Sequence, residues 1–152
     1  MKYYLSTFSK KEIFAIFLIL ILTFSRLIPH PPNFTPIIAT AILSGYFFRN
    51  IYLSYIVLLF SMLIGDIFIG FYKNMIFVYL SLFIITFICV KIYHKINFKN
   101  LFIFVFFGTL IFYLISNFGV WFLGNMYEKN LKGLTECYIL AIPFFKNTLL
   151  SG

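Results

Sequence analysis

The chain has 152 residues, of which 62% are hydrophobic and 11% charged, with a mean hydropathy of +1.01 and a formal net charge of +8. Soluble domains are about half apolar and a quarter charged, so this composition excludes an ordinary soluble globular domain and predicts an all-α integral membrane protein. At ~20 residues per crossing, about six crossings would use most of the chain, as one transmembrane domain over 1–152 with no room for a soluble catalytic domain. The Lys and Arg residues are spread through short loops, which argues against a nucleic-acid partner; in such chains they mostly record orientation.

The first span is expected over about 13–28. The start, with Lys2, Lys10 and Lys11 ahead of an apolar run, resembles a signal peptide, but no A-x-A site follows and Arg26 interrupts the place for one. Next comes Arg26-Leu-Ile-Pro-His-Pro-Pro-Asn-Phe-Thr-Pro36, with a cation, a histidine and four prolines at a depth that should be hydrocarbon. An arginine there costs a few kcal/mol or more unless it has a partner or a water-filled cavity. Irregular backbone at that depth is tolerated where protein or water covers it.

The second span, about 37–48, is too short to cross ~30 Å alone, so either the proline loop completes it or the bilayer is not fully spanned there. Ala41 and Gly45, with Thr40 and Ser44 beside them, form a small-xxx-small surface for a partner helix. Packing inside the monomer is favoured over an external partner. Arg49-Asn50 makes a turn into the third span, about 51–71, and Tyr72-Lys73-Asn74 a turn into the fourth, about 75–90. A basic loop from Lys91 to Asn100 precedes the fifth span, about 101–123, and a polar loop, Gly124 to Lys132, follows it. The last apolar stretch, about 134–150, is interrupted by Pro143 and Lys146-Asn147. It is either a sixth span or a short surface helix with the true sixth span missing beyond Gly152, as if the C-terminus were truncated.

Seven basic residues, Lys2, Lys10, Lys11, Arg49, Lys91, Lys95 and Lys99, fall on one side, against Lys73, Lys129 and Lys132 on the other. The bias places the N-terminus in the cytoplasm and the chain in the cytoplasmic (inner) membrane, with the proline loop outside. At 1.5 Å per residue, Arg26, Asp66 and Asn117 lie roughly 20–24 Å from the cytoplasmic edge, in one outer layer. Arg26 and Asp66, charges of opposite sign within apolar spans, are expected to pair. Asn117 and Trp121, one turn apart, would face the same way as a hydrogen-bonding group beneath an aromatic wall. Asn33 falls on the same outward side.

No Ser/His/Asp set, HExxH, Walker loop or GxGxxG occurs, so no enzymatic activity is expected. No metal or cofactor is called for either. His30 and His94 lie on opposite sides, and Cys89 and Cys137 read as small packing residues. Intramembrane charge beside broken helices is the pattern of a small-molecule site.

The proline segment, Gly65-Asp66 with Gly70, Asn117-Phe118-Gly119-Val120-Trp121, and Cys137-Tyr138 followed by Ala141-Ile142-Pro143-Phe144-Phe145-Lys146-Asn147-Thr148-Leu149 resemble an uncharacterised family of small bacterial multi-spanning membrane proteins. The likeness covers about residues 24 to 152. That family in turn resembles the substrate-binding S components of energy-coupling-factor (ECF) transporters. The resemblance implies a bundle of about six helices that binds a vitamin or precursor in an outward pocket and associates with a transmembrane T component and ATPases on separate chains. It would set Arg26, His30, Asn33, Asp66, Asn117 and Trp121 near the ligand, with Lys146 and Asn147 close by; Arg26 and Lys146 would suit an anion. S components commonly dock through A-x-x-x-A on the first span. Here Ile19 follows Ala15 at that spacing, which leaves Ala41 and Gly45 as the substitute. Two rival readings are an ion- or proton-coupled carrier or channel using Asp66, and a structural membrane assembly factor.

Overall fold

A computed structural model describes residues 9–48, 50–92, 96–97 and 99–152. Lys2, Arg49, His94 and Lys95 lie outside them, and with them part of the orientation count, the turn at Arg49 and much of the basic loop. The described residues form seven α-helices and no strand: α1 (Lys10–Ser25), α2 (Ile37–Phe48), α3 (Ile51–Ile69), α4 (Met75–Ile92), α5 (Leu101–Leu123), α6 (Leu131–Leu140) and α7 (Ile142–Ser151). Three of them, α3, α4 and α5, are long and apolar enough to cross a membrane.

Local sequence explains most of the boundaries. Ser9 and Glu12 close a capping box that starts α1 three residues earlier than its apolar run suggests. Asn50 and Asn130 accept backbone N–H groups at the starts of α3 and α6. Gly70, at φ 102, ends α3 in a conformation that disfavours other residues. The expected sixth span is two ten-residue helices, because Pro143 cannot continue α6 and the chain breaks at Ala141. Both halves nevertheless run back along α5. The Cys137 thiol donates to the Asn117 carbonyl, Tyr138 to the Leu114 carbonyl, and Gly152 lies beside Val105.

The bundle is apolar without, and small polar residues are set among the apolar ones within. Thr23, Ser54, Ser61, Asp66, Ser81, Thr86, Thr109 and Ser116 are buried, while Phe17, Phe60, Ile76, Phe102 and Phe107 are exposed. A water-soluble helix shows the reverse arrangement, and small polar residues between helices are the packing habit of membrane bundles. Thr23 donates to the Ile19 carbonyl, so the Ser61 hydroxyl opposite it is the donor in the hydrogen bond that ties α3 to α1.

Helix α2 is the hub, with eight of its twelve residues buried and contacts to α1, α3, α4, α5 and α7. Its small-residue face packs on α4. Thr86 Oγ1 donates to the Ala41 carbonyl at 3.1 Å, and a Cβ at Gly45 would lie 2.6 Å from Cys89 Cβ. The partner helix for Ala41 and Gly45 is therefore internal, and the face is not free to dock another chain. Ala15 and Ile19 are buried too, against Phe48.

The shortness of α2 has a geometric cause. Ile38 packs at Gly108, which lies seven residues, roughly 10 Å, from the start of α5. Helix α2 therefore begins partway along α5, after a loop whose residues 27–34 are exposed and whose Thr35 and Pro36 are half-buried.

Candidate functional site

The proline loop is exposed over 27–34, and α7 ties its backbone to the bundle. Asn147 Nδ2 donates to the Pro32 carbonyl at 3.0 Å and Ser151 Oγ to the Thr35 carbonyl at 2.9 Å, while Thr148 Oγ1 shares its one proton between the Phe144 carbonyl at 3.0 Å and the Asn33 carbonyl at 3.3 Å. These three side chains lie within four residues, along one face of α7. Asn33 adopts φ 59, a left-handed conformation that asparagine tolerates better than most residues.

Where α1 ends, Arg26 turns inward. Its Nη2 lies 2.6 Å from Asp66 Oδ1, and the Tyr79 hydroxyl donates to Asp66 Oδ2 at 2.8 Å. Asp66 is fully buried, and the Arg26 side chain is 9% exposed. Gly65 makes the seat, since a Cβ there would lie 2.5 Å from Arg26 Nη1 and 3.1 Å from Cζ. Arg26 Nη1 reaches the Met62 carbonyl at 3.5 Å, a long contact, while its Nε is buried without a partner. The sequence-predicted ion pair is thus present, with a second carboxylate partner, Tyr79, that the sequence did not reveal. Asp66 lies three residues before the end of α3 and Tyr79 four residues into α4. Two positions at similar distances from one hairpin turn face each other, and that symmetry was the available signal.

Beside the pair, at the end of the bundle away from the start of α1, a cavity of about 430 Å³ opens between the proline loop, α3, α4 and α5. Its polar lining is Arg26, His30, Asn33, Thr35, Tyr72, Asn74, Ser116 and Asn117, and its apolar lining includes Met62, Val78, Phe112 and Val120. Asn74 Nδ2 donates to the Ser116 carbonyl at 2.9 Å, leaving Oδ1 buried and unpartnered. Asn117 Nδ2 donates to the Tyr113 carbonyl one turn back, at 2.8 Å. Gly119 admits Asn74, because a Cβ at that position would overlap Asn74 Oδ1 and the Phe77 ring. In the α3–α4 turn, partial burial and then the Asp66 charge push the Tyr72 phenol up to about 12, while Arg26 pulls it slightly back. Tyr72 therefore keeps its proton near neutral pH.

The structure brings four of the expected site residues to the cavity: Arg26, His30, Asn33 and Asn117. Asp66 stands behind its wall, holding Arg26. Thr35, Tyr72, Asn74 and Ser116 also line it and were not singled out from sequence; Ser116 adjoins Asn117, and Thr35 lies two residues from Asn33. Trp121, Lys146 and Asn147 are not among the lining residues. Trp121 Nε1 donates to the Glu128 carbonyl at 2.8 Å, and the Lys129 ammonium lies 5.5 Å from its ring. Lys129 also donates to the carbonyls of Trp121, Phe122 and Gly124, a cation satisfying the C-terminal end of α5. Trp121 is thus part of the 124–130 loop's support. Lys146 is exposed, and Asn147 holds the proline loop from its far side.

Among the described residues no group of three His, Cys, Asp or Glu comes together; Cys89 and Cys137 are buried and separate.

An all-helical, membrane-type bundle with a polar cavity at one end is the class that fold and site define. Within it, the chain belongs to a family of unknown function, DUF6580, whose model matches residues 6–152. No curated protein and no solved structure matches it.

Proposed function

We propose that this chain is a membrane-embedded solute-binding component. It takes a small water-soluble compound, such as a vitamin or precursor, from the outer side and passes it inward. The single observation that carries the reading is the 430 Å³ cavity, open at the loop end and lined by polar groups above a buried ion pair. That volume lies within the range of small-molecule sites, and the mixture of apolar wall with a few polar groups is their usual composition. The described basic residues support an outward cavity. Lys10, Lys11, Lys91 and Lys99 belong to the opposite end, and only Lys73, Lys129 and Lys132 to the loops near it.

The resemblance to ECF S components extends the proposal to a T component and ATPases on separate chains. Docking would use a face other than Ala15/Ile19 or Ala41/Gly45, which are buried within the bundle. A carrier built on Asp66 is disfavoured. Both of its carboxylate oxygens are engaged, and it is absent from the cavity lining.

The test is native mass spectrometry of the purified protein, followed by thermal-shift screening of small polar compounds. A bound compound that is retained by the native protein and weakened at least about tenfold by Asn117→Leu, with unfolding unchanged, is the expected result. Protein that arrives empty and binds nothing in the screen overturns the proposal.

A further inference from the structure

The charge of the ligand follows from how Arg26 is held. Resting on the reading of the cavity as a solute site, we infer that it selects an electrically neutral ligand. That ligand presents a carbonyl or amide oxygen to Arg26 and an N–H or O–H group to the asparagine side of the pocket.

Among the described residues Arg26 is the only Lys, Arg, Asp or Glu side chain in the lining, and His30 is the lining's other basic side chain. Taken alone Arg26 would favour an anion. Its charge is already balanced, however, by Asp66 at 2.6 Å, and Asp66 cannot turn away without also losing Tyr79. An incoming carboxylate would have to share the guanidinium with a fixed carboxylate. The assembled site would then carry one uncompensated negative charge in a place where desolvation is costly. A neutral oxygen meets no such conflict. It gains a donor from a guanidinium whose Nε is unpartnered, and a charge-assisted hydrogen bond is stronger than a neutral one.

The opposite wall points the same way. Asn117 uses its amide nitrogen on the Tyr113 carbonyl, which leaves its amide oxygen free to accept from a ligand. Asn74 likewise donates to the Ser116 carbonyl, and its Oδ1 packs against Gly119. An acceptor on one side and a neutralised donor on the other match an amide, lactam or similar heterocycle.

The experiment compares matched neutral and anionic probes: nicotinamide with nicotinate, and benzamide with benzoate, each titrated into the full chain in detergent at pH 7. The expected result is that the amide of at least one pair binds and the acid binds at least about tenfold more weakly. In Asp66→Asn, which keeps the shape and one acceptor for Arg26, the preference should reverse toward the acid. Wild-type affinity for the amide should stay flat between low and high salt, since a neutral ligand has no charge to screen. This salt arm needs no variant, so it stands where Asp66→Asn fails to fold. Tighter binding of the acids by wild-type protein, or an anion identified by mass spectrometry as the retained ligand, overturns the neutral-ligand inference while leaving the solute site intact. Binding of neither class, together with protein that carries no compound, overturns both.

Discussion

Removing Asp66 and Arg26 together should cost less than the sum of removing each alone. In Asp66→Ala, Arg26 stays 9% exposed beside Gly65 with no counter-ion, and the Tyr79 hydroxyl loses its acceptor. Breaking a buried pair by deleting one partner typically costs about 3–5 kcal/mol. Arg26→Ala should fall in the same range, since Asp66 is then fully buried with only Tyr79 as donor. In the double variant both charges are gone. The remaining loss is packing and one orphaned hydroxyl, so the double should be about 2–3 kcal/mol more stable than the sum of the singles predicts. Tyr79→Phe, which removes a hydrogen bond to a charged group, should cost about 1.5–3 kcal/mol. Unfolding in mixed micelles of rising denaturing-detergent fraction, followed by helical circular dichroism, measures all four. Additivity of the two single substitutions within about 0.5 kcal/mol would refute the claim that these charges depend on each other.

Three further predictions concern the frame around the site. Gly45→Ala should destabilise by about 1–3 kcal/mol, because the new methyl meets Cys89 Cβ at 2.6 Å and the Thr86 carbonyl at 2.7 Å; an unchanged unfolding midpoint would contradict the α2–α4 packing. Thr148→Val should raise hydrogen exchange across residues 32–36, with about 0.5–1.5 kcal/mol lost for the hydrogen bond to Asn33; protection equal to the native chain would count against α7 as the loop's support. Hydrogen bonds from the Ser9 backbone and hydroxyl hold the Glu12 carboxyl below its usual value, so the capping box is intact above the ordinary carboxylate range and is lost as pH falls through the depressed value. Amide exchange in the first turn of α1 should therefore rise on acidification, and a Glu12→Gln chain should show a weaker rise.

How much of this was legible in the sequence depends on whether the signal was local. Helix α5 covers the same residues as the fifth expected span, because its 23 predominantly apolar residues lie between a basic and a polar loop. The first was placed at 13–28 instead of 10–25, because Leu27 and Ile28 extend its apolar run while the Ser9/Glu12 box marks the true start. The ion pair was legible because two opposite charges in apolar spans have few other choices. Asn74 and Tyr72 were not, since the Tyr72-Lys73-Asn74 segment reads as an ordinary turn. The packing of α4 on α5, with Asn74 seated at Gly119 and donating to the Ser116 carbonyl, puts Asn74 beside Asn117. Trp121 was assigned to the ligand by helical spacing from Asn117, but the indole N–H reaches the Glu128 carbonyl across a loop whose path spacing alone does not fix.

The proline loop and the broken last helix answer one another. Four prolines remove four backbone donors from this segment, while its carbonyls still seek donors. A continuous apolar sixth span could not supply them. Helix α7 can, because Asn147, Thr148 and Ser151 present donors at the height of Pro32, Asn33 and Thr35. The same residues that looked like interruptions of a membrane span therefore hold the loop at the depth where Asn33 and Thr35 line the cavity. A chain that kept the loop but carried leucine at all three α7 positions would leave three carbonyls without their α7 donors, at about 0.5–1.5 kcal/mol each. The loop would be expected to rise toward water and the cavity to lose one wall.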